Sequence, residues 1–501
     1  MRIFTSTQQR AVEEGAMTRY GMTIMEMTQH AAADAFDVIR ELPVPMNQVL
    51  ILCGKGGNGG DGFALADLMD QAGIPVYVIL CAGEPSKAVS QELLRTVREQ
   101  QIPVLDLLLQ SDRVASLLRS CSLIVDAVFG IGLSRSLPSS CQTLFRTINQ
   151  LSQVPVVSLD VPSGIDSDSG TVLDDALMAD YTISFMAAKP ASLFKGSAPY
   201  FGKCLVRDAG FSGTLLEEYA TVQSLDEEET FSHFPHRSPT ANKGTYGKLT
   251  CLCGSAHYRG AALLATKAAY YSGAGLVQLV SEKEVLNPAI LATPEMTLYD
   301  LASPDDVTHA IRNSAAVLAG CGLAANDQSA RLTYQLLDNY PHPFVLDAQS
   351  LNAIVGELHR LKNAKAPVIL TPHPGEFARL IGKPTSIVLS NRIQFAGEFA
   401  KEYGLYLVLK SENTCLALPD GRVYVDHGGS SGLAKAGSGD LLAGLIAGFL
   451  AQGLSPQFAA SMGILTHSGA SLLAEQKYGM ISMTASMVAE CIPEFLKEKI
   501  S

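Results

Sequence analysis

Val49-Leu-Ile-Leu-Cys53 runs straight into Gly54-Lys-Gly-Gly-Asn-Gly-Gly-Asp-Gly62, and the stretch from Ala64 to Ala72 then has helical spacing. A short, continuous apolar run is the pattern of a strand buried on both faces, as in a parallel sheet. Six glycines in nine residues let backbone N–H groups face a phosphate at the start of a helix, with a plain flexible turn as the alternative. Gly54, Gly56 and Gly59 satisfy G-x-G-x-x-G. A dinucleotide fingerprint also needs an acidic residue closing the next strand. That strand, Val76-Tyr-Val-Ile-Leu80, is followed by Cys81, so the ordinary nicotinamide-dehydrogenase reading loses support.

The same rhythm extends outward. Leu123-Ile-Val-Asp126 and Val156-Val-Ser-Leu-Asp160 are further apolar strands, with the helical pattern Lys87 to Glu99 between Val76–Leu80 and the first of them. It restarts with Leu249–Cys253, Val317–Ala319, Phe344–Leu346, Val368–Leu370 and Tyr406–Leu409. The expected fold class is α/β, with parallel sheets covered by helices on both faces. The 501 residues allow two to four domains at about 150 residues each. Residues 221–243 combine an acidic run with prolines and histidines and lack a strand pattern, which reads as a surface connection rather than a metal site. The expected division is 1–220, a linker at 221–235, and 236–501.

Hydrophobic residues make up 47% and charged residues 17%, with 37 basic against 49 acidic side chains and a net charge of -12. Both halves are mildly acidic, which argues against a general nucleic-acid or anionic-membrane binder. Phosphates must therefore be held by local devices. The ten scattered cysteines form no CxxC pair, so reduced thiols and a cytoplasmic setting are expected. The N-terminus lacks an apolar signal core. Leu441 to Leu454, broken by three glycines and a glutamine, reads as a buried helix and not a membrane span.

Two strand ends carry further chemistry. Asp126 leads into Ala-Val-Phe-Gly-Ile-Gly-Leu133 and Asp160 into Val-Pro-Ser-Gly-Ile-Asp166. Ligands in open α/β sheets sit beyond the carboxyl ends of strands, with capping of the next turn as the alternative role for each aspartate. Asn58, Asp126 and Ser163 supply hard oxygen ligands that suit an alkali or alkaline-earth cation. Lys189 ends another apolar run, Phe185 to Pro190, and is either a catalytic or ligand group or a solvated surface lysine.

GKGGNGGDG, LIVDAVFGIGLSR and LDVPSGIDSDSG, in this order, resemble the epimerase domain of NAD(P)H-hydrate repair over residues 8–212. That family interconverts the R and S forms of hydrated NAD(P)H (NADHX and NADPHX), and the resemblance implies its Rossmann-like three-layer fold for the N-terminal domain, ahead of a C-terminal ribokinase-like α/β domain implied by the motifs of the second half. The resemblance implies a K⁺ ion on Asn58, Asp126 and Ser163. It implies substrate contacts from Gly57, Asn58, Gly59, Gly60 and Asp61, from the loop Gly130, Ile131, Gly132, Leu133, Ser134, Arg135 and Ser136, and from Asp160, with Asp160 and Lys189 as catalytic candidates. The chain departs from the family pattern at Lys55, normally Pro, at Gly57, normally Asn, and at Ala191, normally Gly.

In the second half, Ala436-Gly-Ser-Gly-Asp-Leu-Leu-Ala-Gly-Leu445 opens an apolar helix with a glycine nest suited to phosphoryl charge. Asp440 falls in its first turn, where it can accept a hydroxyl proton or merely favour the helix dipole. No Walker A sequence occurs. GxGD at this place resembles the ribokinase-like superfamily. Asn242–Lys248, Gly254-Ser255, Tyr258–Ala261, Gly320-Cys-Gly322, Asp347–Asn352 and Leu370–Glu376 narrow it to the nucleotide-dependent NAD(P)HX dehydratases over residues 235–497. The resemblance implies NAD(P)HX contacts from Ala261, Gly322, His373 and Asp440, with Asp440 as base. It implies adenine-nucleotide contacts from Lys410, Ser411, Glu412, Asn413, Thr414 and Gly439, with Ser411 where the family has Gly.

Mg²⁺ and ADP, with ATP as the other donor, are the implied cofactors, since fused chains of this kind generally prefer ADP. The residues leave the oligomeric state open, although relatives of the second half often form homo-oligomers. The other functions open at this stage are a small-molecule kinase in the second half and a catalytically silent ligand-binding module in the first.

Overall fold

The computed structural model describes residues 1–501 except Ser134, Arg135, Ser152, Lys195 and Ser501. It divides into two compact units, Met1–Val222 and Gln223–Ser501. In the first, strands β1 (Val49–Cys53), β2 (Val76–Leu80), β3 (Val104–Asp106), β4 (Leu123–Ala127), β5 (Val156–Leu159), β6 (Tyr181–Phe185) and β7 (Lys203–Arg207) form a sheet in the order β3-β2-β1-β4-β5-β6-β7. Every pairing is parallel. The apolar run of β1 has a simple cause. Val49, Ile51 and Cys53 enter the core on one face, and Leu50 and Leu52 the core on the other. The strand order reverses between β1 and β4, which opens a crevice beyond their carboxyl ends. The loop after β1 must come close to β4 there. A Cβ on Gly54 would collide with the Val128 carbonyl, and one on Gly59 with the Gly54 carbonyl.

The second unit holds β8 (Lys248–Leu252), β9 (Leu276–Ser281), β10 (Thr297–Asp300), β11 (Ala316–Ala319), β12 (Phe344–Leu346), β13 (Val368–Leu370), β14 (Tyr406–Leu409), β15 (Cys415–Ala417) and β16 (Val423–Val425). They run β16-β15-β14-β13-β12-β11-β8-β9-β10. The pairings from β14 to β16 are antiparallel and the others parallel. Helix Ser438–Ala451 is buried at every position from Leu441 onward. It packs on helix Arg259–Tyr271 through Gly444, where a Cβ would collide with the Ala265 backbone. Gly444→Ala should therefore cost about 1–3 kcal/mol by overpacking. A urea midpoint unchanged from wild type would contradict that packing.

The connection at 221–243 contains more structure than its composition suggests. Its acidic run is the first turn of helix Glu227–Ser232, capped by Asp226, and carboxylates there complement the helix dipole. Phe231 anchors this helix in the second core, edge-on to Phe495 at 5.9 Å. Among the described residues, no helix is long and apolar enough to cross a membrane. All ten cysteines are free thiols.

Candidate active sites

In the first unit, the helix after β1 begins at Gly57, with Gly56 as a cap that brings no side-chain hydrogen bond. Its first-turn N–H groups thus remain available for an anion. Beside them the Asn58 side chain is buried with neither amide atom hydrogen-bonded, an arrangement that costs about 1–3 kcal/mol if nothing else satisfies it. Asp126, at the end of β4, is fully buried. Its Oδ1 accepts from Ser163 Oγ at 2.6 Å and Val128 N at 3.2 Å. Its Oδ2 accepts from Ser158 Oγ at 2.9 Å and Ser163 N at 2.8 Å. Burial pushes the Asp126 carboxyl up, against the pull of these hydrogen bonds. An unpaired buried amide oxygen, a desolvated carboxylate and a hydroxyl are oxygen donors of the kind that suits a hard cation.

Asp160 follows β5 in a left-handed conformation (φ 67), a strained setting for a non-glycine residue. Its Oδ1 lies 2.8 Å from the Lys189 ammonium, and both side chains are at least nine-tenths buried. Lys189 also donates to the Phe185 and Ala187 carbonyls at 2.8 and 3.1 Å. The solvated-lysine alternative is thereby removed. Gly130 packs against both Asp160 and Asn58: a Cβ there would lie 3.2 Å from Asp160 Oδ2 and 3.4 Å from Asn58 Cγ. Asp61 is pushed well up by burial and by the Asp160 and Glu13 carboxylates, and Glu13 is raised by burial and Asp160.

Gly57, Gly59, Gly60 and Asp61 lie in the first turns of the same helix. Gly132 faces open space and Ser136 is exposed, whereas Leu133 is buried in the core below the sheet. Ser134 and Arg135 fall outside the described residues.

In the second unit, Gly437 caps helix Ser438–Ala451 with φ 93, again without a side-chain cap. The Ser438 N–H reaches the Lys435 carbonyl at 3.5 Å, so the nest is open at Gly437 and Gly439. Asp347, which follows β12, is almost fully buried. Its Oδ1 meets Lys410 Nζ at 2.7 Å and accepts from Thr371 Oγ1 at 2.8 Å. Burial lowers the Lys410 ammonium, but the Asp347 and Glu376 carboxylates outweigh it and the net shift is upward. A Cβ on Gly439 would lie 3.1 Å from Lys410 Nζ, so this lysine borders the nest.

Asp440 is pushed up to about 6, first by burial and then by the Asp347 carboxylate, with Lys410 opposing. A carboxylate with this pKa is mostly ionised at pH 7 and still avid for a proton. A step that needs this carboxylate ionised should slow about tenfold per pH unit below about pH 6. A flat kcat/KM profile between pH 5 and 7 would contradict that assignment. Asp347 and Asp440 oxygens lie within 4.8 Å of each other, together with the Cys321 thiol. Carboxylates brought so close, balanced only in part by Lys410, suit a divalent cation.

Gly322 and Ala261 come together: a Cβ on Gly322 would lie 2.8 Å from Ala261 Cβ. His373 caps helix Pro374–Ile381. Its Nδ1 accepts from Gly375 N, and Glu376 accepts from its own N–H. Its side chain is 55% exposed, and its Nε2 lies 3.6 Å from Glu376 Oε1. In the loop after β14, Ser411 Oγ donates to the Asn413 carbonyl at 2.8 Å and accepts from Asn413 N at 3.3 Å. The hydroxyl present instead of glycine thus folds back on its own turn. Thr414 donates to the Ser411 carbonyl at 3.4 Å, and Glu412 turns away to Arg392 at 2.7 Å.

The comparisons with known proteins follow this division. A family model described as YjeF-related protein N-terminus matches residues 24–191, and one described as NAD(P)H-hydrate dehydratase matches residues 249–494. The bifunctional NAD(P)H-hydrate repair enzyme of Thermofilum pendens is 31% identical over 99% of this chain and 96% of its own. The chain belongs to the bifunctional NAD(P)H-hydrate repair enzyme family. The Escherichia coli member is 30% identical over 98% of this chain and 93% of its own. Among solved structures, the ADP/ATP-dependent NAD(P)H-hydrate dehydratase of Bacillus subtilis, crystallised with ATP and Mg²⁺, superposes with a TM-score of 0.50 at 30% identity. It spans 56% of this chain and 99% of that one.

For a family member, several site residues escape a reading of motifs. Asp347 stands inside a quoted motif, yet nothing local says that it faces Asp440. Glu13 lies on helix Ser6–Tyr20, outside every glycine loop. His467, on helix Pro456–Tyr478, places Nε2 3.2 Å from Ser438 Oγ beneath the nest. Burial and the Lys410 charge push it down to about 4, which leaves it neutral at pH 7.

Proposed function

We propose that the first unit interconverts R- and S-NAD(P)HX, and that the second dehydrates S-NAD(P)HX to NAD(P)H at the expense of ADP, giving AMP and phosphate. The observation that carries this reading is Asp440. It is raised to about 6 in the first turn of a helix with an open glycine nest. Asp440 takes the proton of the ring hydroxyl, whose oxygen attacks the terminal phosphorus of ADP as the bond to AMP breaks. Lys410 and the nest N–H groups hold the phosphoryl oxygens. The C–O bond of the new phosphate ester then breaks, phosphate leaving with the electron pair while the adjacent ring carbon gives its proton to water, and this restores the double bond. Asp347 would hold Mg²⁺, which would supply further charge neutralisation of the phosphates.

In the first unit, Asp160 is the acid–base group, and Lys189, 2.8 Å away, holds it in place. Asn58, Asp126 and Ser163 would hold K⁺, which supplies positive charge beside a polyanionic substrate. NADHX and NADPHX are the small-molecule partners in this reading. The ten free thiols support a cytoplasmic setting, and homo-oligomers are the assembly to look for.

The test is stoichiometry. S-NADHX, ADP and Mg²⁺ should give equal amounts of NADH, AMP and phosphate. Accumulation of a stable phosphorylated product without NADH would instead establish a small-molecule kinase.

A further inference from the structure

Cys321 lies between two glycines at the end of β11, in the turn Gly320-Cys-Gly322. Both glycines have positive φ, 122 and 68. The thiol is buried and donates to Asp347 Oδ2 at 3.4 Å. Among the described residues, Cys321, Asp347 and Asp440 are the one group of potential metal ligands whose donor atoms all lie within 4.8 Å of one another. The Cys253 thiol, just after β8, is a hydrogen-bond neighbour of Cys321.

Mg²⁺ demands oxygen and gains nothing from sulfur. Zinc and cadmium take a thiolate and carboxylates together, with Zn–S about 2.3 Å and Zn–O about 2.0–2.2 Å. At those bond lengths neighbouring donors stand roughly 3–4 Å apart, which the sulfur and the Asp347 oxygen already do. Asp347 is shared with Lys410, but that ammonium also borders Gly439. It can turn toward the nest when a cation takes its place.

We propose that Cys321, Asp347 and Asp440 form a binding site for a thiophilic divalent cation, of the zinc and cadmium class, whose occupation shuts off the nucleotide-dependent half of the enzyme. On binding, the sulfur–metal bond forms as the thiol proton passes to solvent. Asp440 is then a ligand and no longer a base. The inhibition rests on the dehydratase reading above, whereas the binding does not.

The probe is Cd²⁺ added to the reduced, metal-free full chain, followed by the ultraviolet thiolate-to-cadmium band and, separately, by the Mg²⁺-dependent dehydration rate. The wild type should show the band and lose dehydration as the band grows, with epimerisation retained. Cys321→Ser should lose the band and weaken Cd²⁺ binding by about tenfold or more. Cys253→Ser, outside the group of three, should keep both. Cys321→Ala gives the same answer if the serine variant folds poorly. A wild type without the band, or a Cys321→Ser protein with wild-type band and affinity, overturns the proposal. A cadmium band in a protein that never dehydrates NADHX leaves the metal site standing and sinks the dehydratase reading.

Discussion

Asp440→Asn should lower ADP-dependent dehydration by about 10²–10⁴-fold, the usual contribution of a positioned general base. The change is nearly isosteric and removes a carboxylate that the Asp347 carboxylate and burial already disfavour. Folding should therefore be unharmed or slightly improved. The nest N–H groups and Lys410 are untouched, so the KM for ADP should stay close to wild type while kcat collapses. Epimerisation, carried by the other unit, should be unchanged. A loss of less than about tenfold in kcat would mean that another group takes the proton.

Asp160→Asn should abolish R-to-S conversion, by about 10²–10⁴-fold, and should also destabilise the first unit. Lys189 would keep a buried ammonium without its partner, and breaking a buried pair from one side costs about 3–5 kcal/mol. The two effects separate in the double variant Asp160→Asn/Lys189→Met. Removing the orphan charge should restore much of the thermal stability, while epimerisation stays lost. Dehydration of S-NADHX should persist in both variants at temperatures where they are folded. Recovery of epimerisation in the double variant would assign Asp160 a structural role only.

How much of this was legible depends on the distance over which each feature is encoded. The apolar run of β1 and the glycines of 54–62 announce strand, turn and helix within a few residues. Asp126 and Asp160 announce themselves as polar ends of apolar runs. The pairing of Asp160 with Lys189 could not be read, because it arises where the chain after β6 folds back over the end of β5. Asp347 and Cys321 lie in loops after adjacent strands, β12 and β11, and only the sheet order sets them beside the nest at the start of helix Ser438–Ala451. His467 looks in the sequence like any polar residue in a long helix. The acidic run at 227–229 misled in the other direction: it reads as a solvated connection, but capping by Asp226 and the buried Phe231 make it the start of a helix.

The central claim is that one chain carries both steps of the repair. Its most direct test is a mixture of R- and S-NADHX given to the wild-type protein with Mg²⁺ and excess ADP, followed by the return of NADH absorbance. The account predicts recovery from the entire mixture, with the R form drawn through the S form by the first unit. Recovery that halts once the S form is consumed, or no recovery at all, would contradict it.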